Sequence, residues 1–534
     1  MPAAMRKPLA WMHGWCGLVL GWLLLVICIT GTAAYYRNEL TLWMQPGWHG
    51  ASLDLPAPRD AVRAAVMELQ RVAPGADSWI VDLPRPRMPL TTIAWTSPDG
   101  ARLAPGAGRP AGGFATATLD GAGRLLAPAR DSEGGRFFAV FHFTLHYLPV
   151  RWGRWITSIA ALGMLVAIVS GVVAHRRLFA DFFTFRPNKG PRSWLDAHNA
   201  FGVLALPYHA MICYSGLVAL MFLTMPWAID AAYPEGRNAY FAATLPQARS
   251  LPPATALPAP LHDPAAMLEQ AARHWHGAAA ARLTVQRPND AAARYILQRG
   301  EHGRLSNARQ TLVFDAVDGR LLESDDPGAG AAATTRSALV GLHVGHFATP
   351  LQRGLLFIMG LGACGLTATG LLLWTIKAGA RSVSGLGLHV ARGLNIATMA
   401  ALPAAMAAFL WLNRLLAPAL AGRADLEIDG FFLAWGMLAG AALVKPTRAM
   451  WGTQLGLGAL LFGGLPLWGL AAGEPSALLR GGSGVEAGLL LLAALLGAAA
   501  LKVSAPPRPP AAHRAGPSDR AGLADRAAES SAAR

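Results

Sequence analysis

DAHNAFGVLALPYHAMICYSG, running from Asp196 to Gly216, is almost uncharged and long enough for a membrane helix, yet it carries two histidines, His198 and His209. Polar side chains inside a bilayer are costly and usually functional. His198 stands seventeen residues before Ser215-Gly216. The N-terminal stretch HGWCGLVLGWLLLVICITG (13–31) repeats that interval, with His13 seventeen residues before Thr30-Gly31. Further along, His146 precedes Ser170-Gly171 by 24 residues and His343 precedes Thr369-Gly370 by 26. The chain therefore reads as a tandem duplication, in which a first and second span recur as a third and fourth. Repeats of this kind pack about a pseudo-symmetry axis, with their sites at the repeat interface.

Outward from these histidines, the whole chain has the composition of a membrane protein. It has 534 residues, 53% of them hydrophobic and only 14% charged, where soluble domains carry about 25% charged residues. Eight stretches suffice in length and apolarity to cross a bilayer: about 9–36, 152–174, 197–224, 353–376, 394–417, 430–444, 450–471 and 486–502. The sixth is the shortest. The first, from Leu9 to Tyr35, is longer than the roughly 7–15 apolar residues of a signal peptide and reads as a retained span. The net charge of +15 does not indicate nucleic acid, because its basic residues sit in short loops between spans. Arg176–Arg192 holds five Lys/Arg against one Asp, and Lys377–Arg392 holds three against none. The loop Gly422–Gly430 instead holds Asp425, Glu427 and Asp429 against Arg423. The positive-inside rule then puts both termini in the cytoplasm. The tail beyond Lys502 reads as disordered.

Two long segments, 37–141 and 225–342, are left facing the outside. Each begins with a helical pattern, Asp60–Arg71 and Asp263–Trp275, continues with short strands and ends on an Asp-Gly turn. The fold class expected is a polytopic α-helical membrane protein of about eight spans with two α+β outer domains. Its four cysteines (Cys16, Cys28, Cys213 and Cys364) all lie in apolar helices, so no disulfide framework staples the outer part.

Nine histidines lie in or beside spans: His13, His142, His146, His175, His198, His209, His343, His346 and His389. Singly, each is an ordinary interfacial anchor or packed polar residue. The symmetry weighs against that reading. His13 with His198, and His146 with His343, form two depth-matched pairs on neighbouring helices, the arrangement that bis-imidazole ligation of haem requires. Zinc competes through His142 with His146 or His343 with His346, but it wants three or four converging ligands and no acidic residue stands close by. His209 falls outside the pairs, either a ligand itself or a donor to a carbonyl freed by Pro207. His175 is a further candidate ligand, and His389 a candidate ligand or support on the cytoplasmic side. GLGACG (360–365) is a formal G-x-G-x-x-G inside a span, without the strand and helix of a dinucleotide site. No C-x-x-C-H motif for covalent haem occurs.

The stretches HGWCGLVLGWLLLVICITGTAAYYRNEL, RRLFADFFTFRPNKGPRSWLDAHNAFGVLALPYHAMICYSGLV and LHVGHF make the chain resemble the PepSY-associated transmembrane family over roughly Met1 to Lys377, and its iron-uptake branch most of all. That resemblance implies PepSY-like periplasmic domains, a bacterial inner-membrane location and two b-type haems held by the histidines. It also implies electron transfer across that membrane to ferric siderophore in the periplasm; the electron donor stays open between a quinol and a cytoplasmic flavoprotein meeting the basic loop Arg176–Arg192. In that setting Trp79, Trp95, Arg85, Arg87 and Tyr295 are candidates for the outer dock. Two other functions remain open at this stage: a non-enzymatic sensor or protease regulator, and a transporter relaying protons through intramembrane histidines. The absence of acidic residues from the cores of spans one to four counts against the transporter.

Overall fold

The structure is a computed structural model, which describes residues 3–96, 114–174, 179, 183–244, 251–301, 303–325, 330–380, 385–473 and 484–506. Part of the basic loop Arg176–Arg192 and most of the tail lie outside these residues, as does His175. In chain order the elements that matter here begin with α1 (Ala3–Ala34), α2 (Arg37–Trp43) and α3 (Pro58–Val72). Strands β1 (Ser78–Asp82), β2 (Thr91–Thr96) and β3 (Phe114–Leu119) follow, then α4 (Arg136–Thr144) and α5 (Val150–Ala174). The second half repeats the plan: α6 (Pro191–Leu204), α7 (Leu206–Ala219), α8 (Pro264–His274), β4 (Ala280–Gln286), β5 (Arg294–Arg299), β6 (Thr311–Asp315) and β7 (Leu321–Asp325). It closes with α9 (Ala331–Val344) and α10 (Pro350–Ala380). Four further helices complete the chain: α11 (Leu386–Leu415), α12 (Arg423–Val444), α13 (Arg448–Ala471) and α14 (Val485–Ser504).

Among the described residues seven helices are long and apolar enough to cross a membrane, and the pair α6–α7 supplies an eighth crossing if it counts as one span. The protein is thus a multi-pass membrane protein. The expected third span is not straight: α6 and α7 meet at a 66° bend. Pro207 explains it, since it has no N–H to offer the Val203 carbonyl and its ring crowds that oxygen. Ala205 takes up the turn with φ −112° and ψ 19°.

The sixth span also differs from expectation. The acidic stretch read as a loop, Gly422–Gly430, forms the first turns of α12. Arg423 and Glu427, one helical turn apart, form a fully buried ion pair. Glu427 also accepts from Asn413 at 2.9 Å and from the Ser132 hydroxyl, and Arg423 donates to the Asp131 and Asn413 carbonyls. A charge scan stops at these residues because it cannot see that they neutralise one another.

Outside the spans, the two segments share a single antiparallel sheet, in the order β3-β2-β1-β4-β5-β6-β7. The halves join at β1 and β4, with Ile80 opposite Thr284 and Asp82 opposite Arg282. Two separate outer domains were expected; the sheet is continuous because β1 and β4, each an edge strand of its own half, satisfy each other's backbone groups. Helix α3 lays Ala61, Val62, Ala65, Val66 and Leu69 on the sheet, and α8 lays Ala265, Met267, Leu268 and Ala271 beside them. Asp263 caps α8 by accepting from the Ala265 amide at 3.1 Å, and Pro occupies the first turn of both helices.

Trp79, Trp95 and Tyr295 belong to this core and are not an exposed dock. The Trp79 indole donates to the Ala73 carbonyl at 2.8 Å and the Tyr295 hydroxyl to the His262 carbonyl at 2.8 Å. Burying an aromatic ring of this size contributes about 1.5–3 kcal/mol, and each polar tip is satisfied internally.

In the membrane part, α1 packs on α5 and α10, while α7 packs on α5 and α6 on α10. The duplicated helices therefore close a four-membered ring about the same pseudo-twofold axis that relates β1 to β4. The remaining helices lie to one side, with α11 the most deeply buried of all the spans.

Candidate functional site: two facing histidine pairs

Each repeat builds the same local device twice. In α1, the Thr30 hydroxyl donates to the Val26 carbonyl four residues back, at 2.7 Å. Ser170, Ser215 and Thr369 do likewise to Val166, Met211 and Gly365, at 2.6–2.7 Å. The carbonyl three residues before each hydroxyl then receives a histidine Nδ1 from another helix. His142 bonds Ile27 at 2.7 Å, His13 bonds Ala167 at 2.8 Å, His198 bonds Leu366 at 3.0 Å and His343 bonds Ile212 at 3.1 Å. A carbonyl only accepts, so each Nδ1 carries the proton and each lone pair falls on Nε2. Orientation of this kind, through the far ring nitrogen, is what metal-ligating histidines use.

The glycine following each hydroxyl makes the approach possible. A Cβ on Gly31 would lie 2.5 Å from the His142 ring, on Gly216 2.9 Å from His343, on Gly171 3.0 Å from His13 and on Gly370 3.1 Å from His198. The recurring hydroxyl-glycine dipeptides are therefore receptors for histidines from partner helices, not companions of the histidines upstream on their own helix.

Across the axis the histidines meet in pairs. The His13 and His198 ring centroids are 6.2 Å apart, and those of His142 and His343 are also 6.2 Å apart. Ile27, which holds His142, lies fourteen residues on from His13, placing the two levels about 21 Å apart along α1. An apolar cluster of Leu24, Ala160, Met164, Cys213 and Ala363 lies with the residues between them. Both sheet-side imidazoles are half-buried, each with its Nδ1 on a carbonyl of a neighbouring span. A cavity of about 330 Å³ opens at this pair, lined by His142, His343, Gly31, Gly216, Tyr35 and Arg37 among others.

Of the expected pairs, His13 with His198 is brought together and His146 with His343 is not. His142 takes that place. His146 instead lies at the end of α4 with φ 55°, stacked on Phe432 at 5.5 Å and edge-on to Phe137 and Tyr147. Two successive left-handed residues, Leu145 and His146, turn the chain out of α4 and carry this ring away from the axis. His209 joins neither pair. It is fully buried, and its Nε2 donates across the helix break to the Phe201 carbonyl at 3.1 Å. The His389 ring bonds the Leu443 carbonyl at 2.7 Å and so holds the end of α12. His346 lies 4.0 Å from Glu301.

The donor set discriminates between metals. Among the described residues no three His, Cys, Asp or Glu side chains converge, so neither pair completes a protein-only tetrahedral zinc site. Two opposed imidazoles suit a metal whose other ligands come with a flat macrocycle. Metal–nitrogen bonds of about 2.0 Å on opposite faces place the two ring centroids roughly 6.3 Å apart, which both pairs match.

Comparisons with known proteins point to a membrane family. An uncharacterized protein of Pseudomonas aeruginosa is 29% identical over 306 residues, covering 55% of this chain and 76% of its own length. The family described as the PepSY-associated TM region matches residues 10–377, which hold both repeats and all four paired histidines. The chain belongs to the PepSY-associated transmembrane family.

Proposed function

We propose that this protein is an oxidoreductase of the bacterial inner membrane, which takes electrons from a quinol or a cytoplasmic flavoprotein and delivers them to ferric siderophore on the sheet side. The observation that carries this reading is the pair of equal 6.2 Å separations between facing imidazoles at two depths. A b-type haem held at each pair supplies one-electron Fe(III)/Fe(II) chemistry. His13 and His198 would hold the group nearer the cytoplasm, and His142 and His343 the group nearer the periplasm.

The chain itself fixes, spaces and insulates. The four Nδ1–H bonds fix tautomer and ring plane, so the imidazoles need not reorganise when charge arrives. The apolar cluster between the levels excludes water and protons. On the substrate side, one electron converts siderophore-bound Fe(III) to Fe(II), a softer ion that hard oxygen donors hold less tightly. Both termini then lie in the cytoplasm and the shared sheet in the periplasm.

The experiment is an optical spectrum and pyridine-haemochrome assay on detergent-purified full-length protein. Two b-type haems per chain, reduced by dithionite and reoxidised by a ferric siderophore, are expected. Colourless protein from haem-replete cells would overturn the reading and favour a non-enzymatic regulator.

A further inference from the structure

The sheet-side cavity ends in an unusually cationic mouth. Arg87, from the β1–β2 turn, reaches down to chelate Glu39 with bonds of 2.8 and 2.6 Å and also donates to the Tyr35 carbonyl at 2.6 Å. Arg353 approaches the same carboxylate at 3.4 Å. The other carboxylate at the mouth, Glu301, is engaged by Arg309 at 3.0 Å and faced by His346 at 4.0 Å. Both acidic groups are therefore already shared. Arg37 lines the cavity with His142 and His343, and no carboxylate lies within ion-pair distance of it among the described residues. Arg37 is exposed on its outer side, yet crowding at the mouth, with repulsion from Arg87 only partly offset by the more distant Glu301, lowers its pKa below the usual arginine value. A cation left in that setting gains from an incoming anion.

We infer that Arg37 pairs with a carboxylate side chain of the macrocycle held between His142 and His343. This rests on the haem reading proposed above. The chemistry fits from both ends. The lower part of the cavity is apolar and glycine-faced, suited to a flat ring, and the first unengaged charge above it is a planar guanidinium able to bind a carboxylate through two N–H groups. A b-type tetrapyrrole carries two such carboxylates on one edge, so ligation by the paired imidazoles and the cation at the mouth together set which edge points outward. A free carboxylate entering from solution shares this chemistry and is the alternative source.

The test compares full-length wild type with R37Q, R37K and, as a control for net charge, R59Q on an exposed turn of α3. The readouts are the midpoint potential of each haem and the rate of haem loss to apomyoglobin, measured without siderophore. In R37Q the potential of the sheet-side haem should fall, because removal of a nearby cation favours the oxidised form. Its loss should quicken roughly tenfold, as expected for one charge-assisted hydrogen bond. R37K should recover part of both effects, while R59Q should match wild type. Titration with citrate separates the sources. If R37Q changes neither potential nor haem loss but abolishes a citrate-induced spectral shift seen in wild type, the carboxylate comes from solution and the assignment fails. It fails equally if R37Q matches wild type throughout. Absence of haem from wild type would refute the underlying reading instead, so the two failures are distinct.

Discussion

His142 and His343 face each other across the pseudo-twofold axis at the same 6.2 Å centroid separation that His13 and His198 keep at the other depth. The ring planes differ, at 40° for the sheet-side pair and 74° for the other. Equal separation with unequal tilt is what two copies of one histidine-pairing device produce when their supporting helices are only approximately symmetric.

The choice of His142 over His146 gives the first prediction. On the haem reading proposed above, His142→Ala is expected to reduce haem from two per chain to one, whereas His146→Ala should retain both. His146 contributes to an aromatic cluster, so its loss should appear as a lower melting temperature, not as lost colour. A pyridine-haemochrome count on the two variants decides the register. Retention of two haems in His142→Ala, with loss in His146→Ala, would reverse it.

The glycine receptors make a second prediction, independent of any ligand on the histidines themselves. An added methyl on Gly31 would meet the His142 ring at 2.5 Å, and the backbone on both sides is helical. Gly31→Ala should cost about 1–3 kcal/mol by overpacking and displace the sheet-side imidazole. Gly14, on the same helix, has nothing within 4 Å of a built Cβ. Gly14→Ala should be neutral or stabilise by up to about 1 kcal/mol. Thermal unfolding in detergent, followed by intrinsic fluorescence, separates the two. Equal behaviour of these variants would remove the glycine argument.

A third prediction concerns the buried pair at the head of α12. Arg423 and Glu427 are both fully inaccessible and are tied to Asn413 and Ser132. Glu427→Ala leaves a buried guanidinium without its countercharge and should destabilise by about 3–5 kcal/mol. The double replacement Arg423→Leu with Glu427→Leu should recover much of that loss, since apolar side chains of similar size fill the same space without desolvating charge. A double-mutant cycle on melting temperature measures the coupling. An additive result would mean that the pair is held by its surroundings and not by itself.

Much of this architecture is written in local pattern. The spans show as apolar runs, the duplication shows in the recurring His and hydroxyl-glycine intervals, and His13 with His198 follows from matching seventeen-residue spacings. The sheet-side partner of His343 is harder to place. His343 precedes its hydroxyl by 26 residues, and His146 and His142 precede Ser170 by 24 and 28, so distance from the hydroxyl is indifferent between them. Counting from the start of the following span is not. Pro149 and Pro350 each open a P-x-x-x-G stretch ending at Gly153 or Gly354, and His142 and His343 each stand seven residues before that proline. The bend at Ala205 is signalled by Pro207, although no local signal gives its angle. Fusion of the two outer segments into one sheet, and burial of Arg423 against Glu427, depend on contacts between distant parts of the chain, which periodicity cannot report.

The last prediction separates support from ligation at His209. Its ring spans the break between α6 and α7, Nε2 donating to the Phe201 carbonyl at 3.1 Å, while Nδ1 finds no hydrogen-bond partner among the described residues. At the break the Ala205 amide turns to the Val203 carbonyl, so the imidazole serves the Phe201 carbonyl that this amide would otherwise bond, holding the end of one half-helix against the start of the other. His209→Ala should leave a carbonyl unsatisfied in an apolar setting and cost about 1–3 kcal/mol, with a further loss from the vacated volume. Both haems should stay bound, because the paired imidazoles lie on other turns and keep their own carbonyls. His209→Gln, whose amide can still donate, should recover part of the stability. Melting temperature and haem count are measured on the same samples. A variant that melts like wild type yet carries a single haem would identify His209 as a ligand and displace one member of the pairs assigned above.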